Sequence, residues 1–229
     1  MRSLVRTRPV EAAATVVGKA LAGLFFAIGK ARTSAVRALH PQGELRRGVL
    51  ARQGCEWPTG VPWLDEPGTE EVLLRFSRSV GLPAVLPDVL GLAVRVPLQN
   101  GGHADLLLAT TGAGRGGRFL LRLARRRAAF YSSLIPFQAP TGPLLLAASA
   151  TDDDGCHFEL VCARPRGRWS SFGRLSVLPA MEGGHDTSTA FDPVLNVVPG
   201  LDSYTWAAQL RQFAYAASRR ARTAPLRMP

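Results

Sequence analysis

Between residues 92 and 163 the chain breaks into short strand-like runs separated by Gly and Pro clusters. They are Leu92–Val96, Ala104–Ala109, Arg118–Leu123, Leu144–Ala150 and Cys156–Ala163. Such a pattern suits antiparallel strands that close on themselves. Residues 151–155, Thr-Asp-Asp-Asp-Gly, read as a hairpin turn, since the later ligands a calcium loop requires are missing. With 229 residues and 46% apolar content the chain can bury one sizeable core, and an all-β barrel of this length is commonly a single domain. Helical signals concentrate at the two ends: residues 11–37 read as helix, and Asp202 or Ser203 can cap a helix running to about Arg222. The expected class is therefore α+β, mainly β. One domain over 1–229 is expected, with an N-terminal helical arm over 1–36, an antiparallel β-barrel over 37–200 and a C-terminal helix over 201–223.

Arg211, Tyr215 and Arg222 follow one another at spacings of four and seven. On a helix this puts three side chains on neighbouring turns of one stripe. A phenol flanked by guanidinium groups is well suited to ionise, because adjacent positive charge favours the phenolate. The same segment carries an apolar stripe of Trp206, Leu210, Phe213 and Ala217. Taken alone, it reads as an amphipathic helix with its arginines in solvent.

Three upstream segments bear on the same chemistry. Residues 37–43 read Arg-Ala-Leu-His-Pro-Gln-Gly, and the imidazole of His40 can both accept and return a proton near neutral pH. Residues 73–77, Leu-Leu-Arg-Phe-Ser, read as a strand that sends Arg75 and Ser77 to one face and Phe76 to the other. Residues 88–95, Asp-Val-Leu-Gly-Leu-Ala-Val-Arg, read as a turn into a strand, with Gly91 permitting a close backbone approach.

In their motifs and their order along the chain these segments resemble the catalases, which hold haem iron through a tyrosinate. The resemblance implies a catalase-like barrel with a C-terminal haem-ligating helix. Tyr215 would be the metal ligand of haem b and Arg211 its hydrogen-bond partner, while Arg37, Arg75 and Arg222 would meet the propionates. His40 would move a proton between the two oxygens of a bound peroxide, with Ser77 hydrogen-bonded to it. Catalases also place an asparagine on that side, in a segment corresponding to residues 104–111 here. This stretch has none, so Thr110 or Thr111 is expected at its place, although a short hydroxyl does not reproduce carboxamide geometry. The interval from Arg75 to Tyr215 is compressed and no helical domain is expected after the ligating helix. The chain therefore resembles the small catalase-like peroxidases and allene-oxide-forming haem proteins more than full-length catalases.

The net charge of +11 invites a nucleic-acid or anionic-membrane reading. Only Lys19 and Lys30 are lysines, and the basic runs 122–127 and 219–222 lack interleaved aromatics, so no specific nucleic-acid partner is expected. Residues 12–29 are nearly all apolar but hold Lys19 at their middle, which makes a poor transmembrane span. A helix packed on the barrel is expected there, with a peripheral membrane contact as the alternative. Cys55, Cys156 and Cys162 have no metal-type spacing, and a cytoplasmic, reducing location fits them.

Two functions of different class follow. The first is a haem peroxidase or catalase-like oxidoreductase acting on hydrogen peroxide or organic hydroperoxides, more peroxidase-like than an efficient catalase. The second is a non-catalytic catalase-fold module that binds haem, a lipid or nothing, with placement at a membrane surface as one form of it; an oligomer is compatible with either function.

Overall fold

Alternation is strictest in the strand over residues 68–78. In residues 68–78 the side chains of Val72, Leu74 and Phe76 are buried while Leu73, Arg75 and Ser77 between them are not, as a half-covered strand requires. In the computed structural model, residues 42–79, 85–179, 189, 191–193 and 195–204 are described. Within them run β1 (Gln42–Arg52), a short α1 (Pro62–Asp65), β2 (Gly68–Arg78), β3 (Leu90–Pro97), β4 (His103–Thr110), β5 (Phe130–Ser132), β6 (Phe137–Ala139), β7 (Gly142–Ala150), β8 (His157–Ala163) and β9 (Ser170–Val177). All pairings between these strands are antiparallel, in the order β5-β4-β3-β2-β1-β9-β8-β7-β6. A further pairing of β5 with β7, Tyr131 opposite Ala148, closes eight of the strands into a barrel and leaves β6 as a flap on β7.

The barrel interior is filled by side chains. Leu50, Leu74, Leu92, Val94, Leu106, Leu146, Leu160, Phe172 and Leu175 pack there as one cluster. Phe158 sits between Phe76, at 6.2 Å between ring centres, and Tyr131, at 6.0 Å edge-to-face, so three strands meet on one ring. Tyr131 donates its hydroxyl to the Arg127 carbonyl at 2.9 Å, and burial pushes its phenol well above the ordinary value. One barrel end is capped by Glu44 paired with Arg46 and Arg127, the latter lying 4.8 Å over the Phe76 ring. At the far end of β1, Arg52 pairs with Glu70 and lies 5.2 Å over Trp63, which in turn meets Phe172.

The structure corrects one strand expectation. Residues 118–123 form a 3-10 turn (Gly117–Phe119) and then an irregular stretch joined to the end of β4 by a single bridge from Leu121 to Thr111, and Leu120 and Leu123 are exposed. Gly112, Gly114, Gly116 and Gly117 bend the chain there, and the side chain that enters the protein is the arginine, Arg118. The expected turn at 151–155 is present, with Asp152 accepting hydrogen bonds from the amides of Cys156 and His157. The expected helices over 11–37 and 203–222 lie outside the described residues, apart from Ser203 and Tyr204 at the start of the second. Among the described residues no helix is long and apolar enough to cross a membrane.

Because Phe158 joins β8 to β2 and β5, Phe158→Ala should cost about 3–5 kcal/mol, the range for emptying a large buried aromatic site. Chemical denaturation of the two proteins measures it. A loss under about 1 kcal/mol would mean that the three rings do not support the closure.

Candidate functional site

A filled eight-stranded barrel has room for its own side chains and little else, so a ligand site must lie on its outer surface or at its ends. β2 turns Arg75 and Ser77 outward, because Leu74 and Phe76 occupy the inward positions. Strand pairing extends that outward face. Ser77 stands opposite Gly43 of β1 and Gly91 of β3, Gly91 opposite Ala109 of β4, and Ala109 opposite Ser132 of β5. Directly paired residues share a face. The row Gly43–Ser77–Gly91–Ala109–Ser132 therefore holds nothing larger than serine across five strands, a width of about 20 Å at the usual strand spacing. Beside it runs a second row, Leu45–Arg75–Ala93–Leu107.

Arg75 depends on this arrangement. A Cβ at Gly43 would collide with the Arg75 guanidinium, so the glycine is what lets that head group lie over the beginning of β1. Gly43 is only three residues after His40. The chain thus places one cation and one hydroxyl on a floor of small residues, next to the point where the 37–41 segment joins the barrel.

The two threonines separate. Thr110 follows the inward positions Leu106 and Leu108 and pairs with the buried Tyr131. Its hydroxyl donates to the Arg122 carbonyl at 2.6 Å and accepts from the Leu90 amide at 3.1 Å, so it ties the ends of β3 and β4 to the 120–124 stretch and faces away from Ser77. Thr111 is on the outward side. It donates to the Ser132 hydroxyl at 3.0 Å, which donates to the Arg118 carbonyl at 3.0 Å, and the group is buried under the 112–119 segment. The position on β4 that stands in the Ser77 row is Ala109, which the sequence reading passed over. Counting outward positions from Asp105 by twos reaches Leu107, Ala109 and Thr111, and that parity was the available signal.

Lower on the same face, Arg95 and Asp105 form a bidentate pair at 2.7 and 2.9 Å. Asp105 is buried and also accepts from the Asp192 amide and the Asn196 side chain, each at 2.8 Å, while Arg95 lies 4.7 Å over Phe191. This knot fastens the 191–196 segment across β3 and β4. Arg37, His40, Arg211, Tyr215 and Arg222 lie outside the described residues. Among the described residues no group of three or more His, Cys, Asp or Glu side chains could hold a metal ion.

Solved structures share this architecture. A fungal catalase matches with a TM-score of 0.56 at 13% identity, over 87% of this chain and 62% of its own. Catalase A from Saccharomyces cerevisiae matches with a TM-score of 0.54 at 12% identity, over 87% of this chain and 64% of its own. The chain thus spans less than two thirds of either catalase, and at such identities the likeness is one of fold. No protein-family model and no curated protein matches the sequence.

Asp105 is the centre of the outer knot, and its removal takes the bidentate carboxylate from a partly buried guanidinium and the acceptor from two groups of the 191–196 segment. Asp105→Ala should cost about 3 kcal/mol, the lower end for breaking a buried pair because Arg95 keeps some access to water. Hydrogen exchange should speed at the Asp192 and Asn196 amides. Unchanged exchange there would show that the segment is held by other contacts.

Proposed function

We propose that this chain is a haem-binding oxidoreductase of the catalase fold that acts on hydrogen peroxide or organic hydroperoxides. The observation that carries the reading is the outward row of small residues bearing Arg75 and Ser77, on a barrel whose solved counterparts are catalases. The fit is one of shape and charge. Gly43, Gly91, Ala93 and Ala109 leave a broad floor without bulky side chains, and Arg75 supplies a cation for a carboxylate at its edge.

In this reading Tyr215 ligates the iron, and Arg211 lowers the cost of its phenolate by placing positive charge beside it. Arg37, Arg75 and Arg222 hold the propionates. Haem would supply a redox-active iron at which the oxygen–oxygen bond of a hydroperoxide is broken. His40 takes the proton from one peroxide oxygen and returns it to the other, with Ser77 orienting the imidazole. The purified protein, loaded with haem, should show an intense Soret band, and Tyr215→Phe should abolish or shift it. A colourless native protein that takes up no added haem would overturn the proposal.

Ala109 favours peroxidase-type over catalase-type turnover. Oxidising a second peroxide requires that it be held, and the row offers a methyl group where catalases carry a carboxamide. Native protein should therefore release oxygen weakly while oxidising small phenolic donors. Ala109→Asn should raise oxygen release several-fold, the scale of one added hydrogen bond. Vigorous oxygen release by the native protein would mean that other side chains already hold the second peroxide. The same methyl group is also what favours the second reading, a catalase-fold module that binds haem or lipid without turnover.

A further inference from the structure

Two thiols that lie far apart in sequence meet at the opposite end of β1 from the Gly43 row. Cys55 Sγ and Cys162 Sγ are 3.1 Å apart, and neither is in a disulfide. Cys55 is on the loop after β1 and is part-exposed, whereas Cys162 points into the barrel from β8 and is fully buried. The loop is well fastened. The Cys55 amide donates to the Leu64 carbonyl at 2.9 Å, and Asp65 accepts from the Thr59 amide and hydroxyl and from the Gly60 amide at 2.8–3.1 Å. Gly54 has φ +90, and a Cβ there would meet the Asp65 carbonyl at 2.6 Å, so the turn that delivers Cys55 requires glycine. Arg164, two residues after Cys162, lies 5.3 Å over Trp57, two residues after Cys55.

We propose that Cys55 and Cys162 are an oxidisable dithiol, a modification site at which hydroperoxides act directly on the protein to form a disulfide between the 53–61 loop and β8. The Cys55 thiolate attacks one peroxide oxygen. The oxygen–oxygen bond breaks, the sulfur is oxidised to sulfenic acid, and the released oxygen leaves as an alcohol or water after taking a proton. The Cys162 thiol then attacks the Cys55 sulfur, its proton joins the departing hydroxyl, and water leaves. Two electrons from the sulfur pair have reduced one peroxide. A bonded pair needs about 2.05 Å between sulfurs, so a closure of about 1 Å completes the step.

The roles follow from position. Of the two, only Cys55 can be reached by an oxidant. The hydrogen bond from Cys162 pulls the Cys55 thiol below its ordinary value, against the opposing effects of burial and of the Asp65 and Glu56 charges. Cys162 is pushed up by the same contact and by burial, so it stays protonated until it resolves the sulfenic acid. None of this chemistry uses a bound cofactor.

Full-length protein, reduced and then desalted, should be treated with hydrogen peroxide in the presence of a metal chelator. Counted after unfolding, its free thiols should fall from three to one, and a peptide map without reduction should recover Cys55 joined to Cys162 with Cys156 still free. Dithiothreitol should restore all three. In Cys162→Ser the oxidation should stop at a Cys55 sulfenic acid that dimedone captures, and Cys55→Ser should slow the loss of Cys162 at least tenfold. A thiol count that stays at three would overturn the proposal, as would disulfides made mainly through Cys156. So would a Cys55 sulfinic acid beside an intact Cys162. The native peptide map alone decides the matter if the Cys162 variant does not fold.

Discussion

Closure of the barrel by the β5–β7 pairing is the constraint on which everything else depends. It requires a side chain at the centre that β2, β5 and β8 can all reach, and Phe158 between Phe76 and Tyr131 fills that role. Buried aromatics bring large apolar areas with few torsions to freeze, which makes them efficient anchors for strands distant in sequence. Once the interior is filled in this way it can hold no ligand, and the chain's chemistry is displaced to the outer face and the two ends. A hollow barrel of the same topology would have put function inside.

The outward face is correspondingly sorted by what covers it. Where the 191–196 segment crosses, the sheet presents Asp105 and Arg95, whose charges are matched by backbone and side-chain donors of that segment. Where the 112–119 crossing lies, the sheet presents Thr111 and Ser132, and Arg118 turns inward to donate to the Arg164 and Gly167 carbonyls at 3.2 and 3.1 Å under the Trp169 ring. Between those two fastenings the row from Gly43 to Ala109 has no bulky group of its own. A buried polar group needs a partner, so polar side chains on a sheet record what packs there. Glycine and alanine record close approach instead.

Much of the barrel could be read from the sequence, because the short apolar runs that become β3, β4, β7 and β8 are set apart by Gly and Pro clusters. β1 was harder. Glu44 and Arg46 point toward the barrel mouth and are reconciled there by Arg127, a partner more than eighty residues away, so the strand does not look apolar on either face. Residues 118–123 are the converse case: they look like a strand, but the preceding glycines lead into a 3-10 turn and Leu120 and Leu123 are left exposed. At the candidate site, Arg75 and Ser77 were visible from alternation alone. Ala109 was not, since an alanine carries no chemical signature and only the register with Gly91 gives it meaning. The Cys55–Cys162 contact was equally hidden, because it depends on how β8 returns beside β9 and β1.

β1 links the two places where chemistry is concentrated. Gly43 opens it beside Ser77 and Arg75, and Cys55 follows its far end beside β8, with roughly 30 Å from Gly43 to Arg52 at the rise of an extended strand. That separation matters, because a thiol close to a peroxide-activating centre would be consumed by whatever escaped from it. If the outer face consumes peroxide as proposed, a pair at the far end would meet what that face had not removed. Joining residues 107 apart would also restrict the unfolded chain by an amount worth about 4–5 kcal/mol in the loop-entropy model, a large share of a typical domain's stability. Oxidation at Cys55 would then stiffen the end of the barrel without moving Arg75 or Ser77. The same strand would carry a site that consumes peroxide and a bond that forms when peroxide is in excess.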